Sequence, residues 1–288
     1  LMPTSLETAQ PAVDEAPEVA PTEPATPVLE EGGEEVVEPV AMDLPEGMVL
    51  IPATRYTIGC DPEHNNSFSC PADELPLHEV SLSAFAMDIF EVTNAQYAAC
   101  AAAGVCAPPV VIASLTREDY YTNEEFANFP MINVEWEEAQ TYCRWAGKRL
   151  PTEAEWELAV RGSTPKAYSW GDEVPDCLKA NIFDNPSMSS CVGDTAAVGS
   201  YPEGASEFGV MDMTGNVWEW VADSYLEDFY SNSPVENPQA DTNNQLRTVR
   251  GGGWNSNWLA VRVSSRAFDL SLYRGPDLGF RCAVDWGD

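Results

Sequence analysis

Positive charge is scarce in this 288-residue chain: 14 Lys and Arg stand against 47 Asp and Glu, a formal net charge of -33. Nucleic-acid affinity rests on Lys and Arg neutralising phosphates, so a nucleic-acid partner is excluded as an expectation. Docking on an anionic lipid surface is disfavoured for the same reason. Calcium, cationic partners or plain solubility suit such a balance better. Histidine is almost missing, with only His64 and His78, which argues against a His-rich zinc or iron site. None of the cysteines forms a C-x-x-C pair, so zinc-ribbon and thioredoxin motifs are out. No apolar run approaches the roughly 18 residues of a membrane span. The chain opens on Leu1, so a signal peptide, if there is one, is expected to have been removed or omitted.

What is present divides into two unequal parts. Residues 1–44 hold 11 acidic residues and seven prolines, with no Lys, Arg or aromatic residue. Such a segment buries too little apolar surface to offset its ordering entropy, so an extended, solvated tail or linker is expected. A short apolar string (Val36, Val37, Val40 and Met42) leaves open that it orders along a partner or a neighbouring subunit. Residues 45–288 carry all nine tryptophans and read as one domain.

Helices in that domain are few. Thr93 with Gln96 forms a capping box that opens a helix running toward Ala103. Asn133 is the expected cap of a second helix, with Trp136, Ala139, Cys143 and Ala146 on one face and Gly147 as its stop. Thr152 with Glu155 opens a third, over 153–161. Short strands are predicted at 48–51, 78–82, 248–250 and 279–283, separated by Gly-, Asn- and Pro-rich loops. The class is therefore α+β, loop-rich, with low regular secondary structure.

Eight cysteines are available to hold such a body together. Spacing suggests three local bridges, Cys60–Cys70, Cys100–Cys106 and Cys177–Cys191, which leaves Cys143 and Cys282 for one long staple. Connectivity cannot be proved from spacing alone. Four disulfides imply an oxidising compartment, so an exported protein is expected: extracellular, cell-surface or periplasmic.

Five strings then appear in order: Glu91-Val92-Thr93-Asn94; Trp145-Ala146-Gly147-Lys148-Arg149-Leu150-Pro151-Thr152-Glu153-Ala154-Glu155-Trp156-Glu157; Gly215-Asn216-Val217-Trp218-Glu219-Trp220; Arg250-Gly251-Gly252-Gly253-Trp254; and Leu278-Gly279-Phe280-Arg281. Together they resemble the sulfatase-modifying-factor family, which includes the formylglycine-generating enzyme, over residues 45–284. The resemblance implies a compact, loop-rich elaboration of the C-type-lectin architecture. Fold alone does not give the activity.

In the formylglycine-generating enzyme two nearby cysteines hold copper(I), and oxygen oxidises a sulfatase cysteine to an aldehyde. Here Ser256 stands where the resemblance places the first thiol, and Ala260 or Val261 near the second; no cysteine lies between Cys191 and Cys282. Copper(I) needs soft donors, and a hydroxyl or an alkyl group is not one. Relatives that form carbon–sulfur bonds use an iron held by three histidines, and two histidines cannot supply it. The resemblance also implies calcium, with Asp212 and Glu219 as side-chain ligands and Gly215 and Val217 offering carbonyls, an oxygen-only shell that calcium accepts. A second site matches Asn181 and Ile182, where Asp184, Asp194 or the Cys177–Cys191 bridge stands in for a missing acidic partner.

Other residues offer a surface. Trp254, Asn255, Ser256, Asn257 and Trp258 are a ligand-surface candidate, since Trp and Asn give contact area and adaptable hydrogen bonding. Arg262 and Arg266, with Arg281, are candidates for bidentate carboxylate contacts, against internal pairing with Asp or Glu. Ser256 lacks a nearby His and is a poor nucleophile. Glu91, Glu135, Glu137 and Glu138 read as solvated helix-surface carboxylates rather than an acid–base pair. The leading expectation is an exported, disulfide- and calcium-stabilised, non-catalytic binding or assembly module, with a protein partner or self-assembly for which residues 1–44 are a candidate contact. The alternatives are formylglycine-generating or other oxidase activity by an unrecognised route, and a target-binding protein of the kind diversified by retroelements.

Overall fold

The computed structural model describes residues 44–287. The chain divides between Met42 and Asp43, and the expected tail, apart from Leu44, lies outside the described residues. In order the elements are β1 (Met48–Ile51), β2 (Thr54–Ile58), β3 (His78–Leu82), β4 (Phe85–Asp88), α1 (Asn94–Ala102), α2 (Trp136–Trp145), α3 (Glu153–Arg161), β5 (Phe183–Asp184) and β6 (Ser189–Ser190). Then come β7 (Trp218–Ser224), α4 (Phe229–Asn232), β8 (Leu246–Arg250), β9 (Ala267–Leu270), β10 (Leu278–Phe280) and β11 (Ala283–Asp285). The largest sheet runs β10-β7-β8-β9, with β10 parallel to β7 and the other pairs antiparallel. A three-stranded sheet runs β1-β4-β11, and β2 pairs with β3, β5 with β6.

Local chemistry explains the helices. Thr93 caps α1 by accepting from the Gln96 N–H while Gln96 accepts from the Thr93 N–H. Thr152 and Glu155 do the same for α3, which Gly162 ends at φ 70°. The second cap departs from expectation. Asn133 sits at φ 58° and donates to the Ala113 carbonyl, and the cap of α2 falls two residues later at Glu135, whose N–H donates to Glu138 Oε2 at 3.1 Å. The side chain of Asn133 is committed to holding a neighbouring loop, so Glu135 takes its place.

Two apolar clusters flank the main sheet. Trp220, Phe280, Trp136, Cys143 and Cys282 lie on the α2 side; Val221, Phe85 and Trp156 lie on the α3 side. Each fully buried aliphatic or Phe side chain contributes on the order of 2 kcal/mol by leaving water. Every residue of α3 is buried, its carboxylates included. Polar side chains in such a position need partners. Arg250 supplies them for Glu153 and Glu157 at 3.1 and 2.6 Å, and Arg161 pairs with Glu157 at 2.7 Å.

The strand expected over 279–283 is two strands. β10 belongs to the main sheet and β11 to the three-stranded one, and the chain changes sheets at Arg281 and Cys282. Both side chains there are engaged: Arg281 turns inward to Glu219, and Cys282 bridges to Cys143. The other bridges are Cys60–Cys70, Cys100–Cys106 and Cys177–Cys191, as the spacing suggested.

Candidate functional site

The glycine-rich turn after β8 sets the first geometry. Gly251 and Gly252 have φ of 92° and 75°, a region that costs other residues strain. A Cβ on Gly252 would lie 2.5 Å from Val261 Cγ1 and 3.2 Å from Ser256 Cβ. The same glycine therefore brings Ser256, at the expected first thiol position, up to Val261, which with Ala260 is one of the two positions expected for the second. Ser256 Oγ accepts from the Gly253 N–H at 3.0 Å, and the Ser256 carbonyl accepts from Phe183 N–H at 3.0 Å. This hydroxyl closes a turn. All eight cysteines are in the four bridges, so no residue here is a soft ligand and copper(I) does not fit.

The ligand surface expected from this segment is only partly a surface. Asn255 and Asn257 reach solvent, Trp258 is half-buried, and Ser256 and Trp254 are buried. Asn257 Oδ1 accepts from the N–H groups of Leu259 and Ala260 at 3.0 and 3.3 Å. Arg262 and Arg266, expected at a ligand surface, are instead buried. Arg262 makes a bidentate pair with Glu74 at 2.7 and 2.8 Å and reaches Asn65 at 2.7 Å. Arg266 makes one with Glu153 at 2.7 and 2.9 Å. A guanidinium is retained inside an acidic protein where a carboxylate and carbonyls use its donors.

The second geometry is a buried polar crossroads in front of β7. Glu219 is clasped by Arg281, Nε to Oε2 and Nη2 to Oε1, each 2.7 Å, and its Oε2 also accepts from Trp156 Nε1 at 2.9 Å. The other Arg281 donors go to the carbonyls of Asp88, Ile89 and Met211. Asp212, at φ 61°, accepts from the Gly199 N–H at 2.6 Å. Burial pushes its carboxyl up to about 6. Glu91, expected on a helix surface, is in fact buried here, and Asn216 donates to its Oε1 at 2.9 Å. Burial, then the charge of Asp212, holds the Glu91 carboxyl well above the usual range. Glu91 was missed as a site residue; its flanks Phe90 and Val92, apolar just before the Thr93 cap, were the available signal.

Three carboxyl groups thus face one guanidinium. No three His, Cys, Asp or Glu side chains form a ready metal cage among the described residues, and the expected set never contained more than two carboxylates. The residues fit calcium in kind, with buried carboxyl groups and the carbonyls of Gly215 and Val217, on which no hydrogen bond falls among the described residues; Glu91 shares a hydrogen bond with Asp212, and both Glu219 oxygens are held by Arg281 and Trp156. The second expected site fits poorly. Ile182's carbonyl accepts from the Cys191 N–H at 2.9 Å. Asp194 is filled by Ser114, Thr116 and Thr195 donors, and Asp184 accepts from Ser187 N–H on an edge loop. Asn181 Oδ1 is unpartnered there, but it has no acidic neighbour free to join it.

Comparison with known proteins agrees with this architecture. The formylglycine-generating enzyme of Streptomyces coelicolor is 32% identical over 289 residues, covering 83% of this chain and 89% of that protein. The serine/threonine-protein kinase pkn1 of Chlamydia caviae is 36% identical over 234 residues, but the match covers only 34% of the kinase. Among solved structures, PvdO from Pseudomonas aeruginosa is similar with a TM-score of 0.67 and 27% identity over 83% of this chain and 94% of that one. Treponema denticola variable protein 1, at 23% identity and a TM-score of 0.63, shares the fold. Residues 33–286 match the family described as the sulfatase-modifying factor enzyme 1-like domain. This chain belongs to that family.

Proposed function

We propose that the chain is a non-catalytic binding or assembly module built on this fold, exported and stabilised by calcium. The observation that carries the reading is the absence of a free thiol: Ser256, with Ala260 or Val261, stands where a copper-binding pair is needed, and every cysteine is in a disulfide. The enzyme reading draws on the similarity to formylglycine-generating enzymes, and it fails at that chemistry. Calcium would be held by Asp212, Glu219 and the Gly215 and Val217 carbonyls, with Glu91 beside them. Its charge would balance the buried carboxylates, a structural rather than a chemical service. Four disulfides suit an oxidising compartment. The test is incubation of the full chain with copper(I), oxygen and a cysteine-bearing sulfatase peptide, followed by mass. The expected outcome is an unchanged thiol. Turnover above a copper-only control would overturn the reading.

A further inference from the structure

At one end of the main sheet, on the side of Trp218, Val249 and Leu278, a groove of about 240 Å³ stays open. Its floor is apolar; its rim carries Tyr273 and the carboxylates of Asp269 and Asp277. Gly275 keeps the rim apart: a Cβ there would meet the Tyr273 ring at 2.8 Å and Asp277 Oδ1 at 3.0 Å.

Of the residues lining the groove, only Asp269 and Asp277 carry charge. Glu74, Glu153, Glu155 and Glu219 each have an arginine. Asp269 and Asp277 make no ion pair among the described residues. The cations nearest in the chain are committed elsewhere. Arg274 turns to Glu135 and Glu138. Arg247, opposite Asp269 across the β8–β9 ladder, lies over the Trp136 ring at 4.0 Å and donates to Ser224. Asp269 accepts from the Leu270 N–H, and Asp277 is steadied by Asn255. Phe268 and Leu270 alternate with Asp269 along β9 and belong to the other face of the sheet, where Phe268 packs on Tyr225 at 4.3 Å.

We propose that the groove takes an arginine side chain from a partner protein, its guanidinium between Asp269 and Asp277 beside Tyr273 and its aliphatic stem on the apolar floor of Trp218, Val249 and Leu278. The occupant follows from charge complementarity. Two carboxylates with no internal cation, next to aromatic rings, accept a planar guanidinium by charge-assisted hydrogen bonds and stacking. An ammonium gains only the charge. The inference rests on the binding-module reading and names the chemistry of its partner.

The probe is acetyl-Leu-Arg-Leu-amide, titrated into the full chain with ¹⁵N-labelled tryptophan while the Trp218 indole N–H resonance is followed. Its citrulline counterpart keeps the shape without the charge. We expect a saturable shift with the arginine peptide and affinity at least about tenfold weaker for citrulline, the loss of a charge-assisted pair. Asp269→Asn and Gly275→Ala should weaken the arginine peptide by a similar factor. Asp269 is half-buried and off the core, so that variant is expected to fold; Tyr273→Leu tests the stacking independently. No saturable shift, or equal binding of the two peptides, would overturn the inference. Because the probe has no cysteine, a failed titration counts against the groove alone, whereas turnover of the sulfatase peptide counts against the module.

Discussion

Replacing Arg281 with Met keeps most of the volume and removes the only guanidinium that faces Glu91, Asp212 and Glu219. Glu219 would retain one donor, Trp156 Nε1. Breaking a buried pair by removing one partner costs about 3–5 kcal/mol. The carbonyls of Asp88, Ile89 and Met211 also lose their donor, each a hydrogen bond worth about 1 kcal/mol. The upper end applies, about 5 kcal/mol. For a domain of this size that is a Tm fall of roughly 10–20 °C. Equilibrium unfolding in urea, followed by tryptophan fluorescence with the disulfides intact and a chelator present, reads the loss directly. Adding Glu219→Gln to the Arg281 variant should recover about 2 kcal/mol, because the stranded charge is then gone. A single variant within about 1 kcal/mol of the parent, or a double variant that is simply additive, would refute the reasoning.

Stability of the metal-free protein should fall as pH rises from about 5 to 9. The carboxyl groups of Glu91, Asp212 (about 6) and Asp223 (about 8) are pushed up in the fold, chiefly by burial, so the stability they lend is full below an unfolded value near 4 and is lost as pH passes through the folded ones. Asp212→Asn should flatten the step near 6, since an amide there needs no proton; a pH series of urea midpoints checks both. Calcium should raise the melting temperature, more at pH 8 than at pH 5 because it competes with those protons, and Asp212→Ala should abolish the rise. An unchanged melting curve on chelation would leave the carboxylates as ordinary buried groups. Removing Cys143–Cys282, which closes 139 residues, should cost about 5 kcal/mol against about 2 for Cys100–Cys106, which closes 6, in the chain-entropy account; non-reducing urea titrations of the two double-Ser variants compare them.

What could be read from the sequence was what is written locally. The capping boxes at Thr93 and Thr152 and the local cysteine pairs depend on residues a few positions apart, and each forms as expected. The strings naming the family spelled out the fold in the same way. The misreadings share one cause: they depend on partners far away in the chain. Nothing local says that a helix with the sequence of α3 is buried on every side, because its neutralising arginines come from β8 and the segment after it. Arg262 and Arg266 looked available since Glu74 and Glu153 lie 188 and 113 positions off. Glu91 looked solvated because Asn216 is 125 positions away. The 279–283 strand looked continuous since a change of sheet leaves no mark in hydropathy.

That change of sheet at Arg281 and Cys282 governs the order of assembly. Residues 278–285 supply the edge strand of the main sheet, an edge strand of the smaller one, the cation for the buried carboxyls and half of the long disulfide. All lie at the C-terminal end of the domain, so until they are in place β7 lacks its parallel neighbour and Glu219 its arginine. Pairings across such distances are slow, since the loop must close before any contact rewards it. Until residues 278–285 dock, therefore, both sheets are one strand short and Glu219 lacks its arginine.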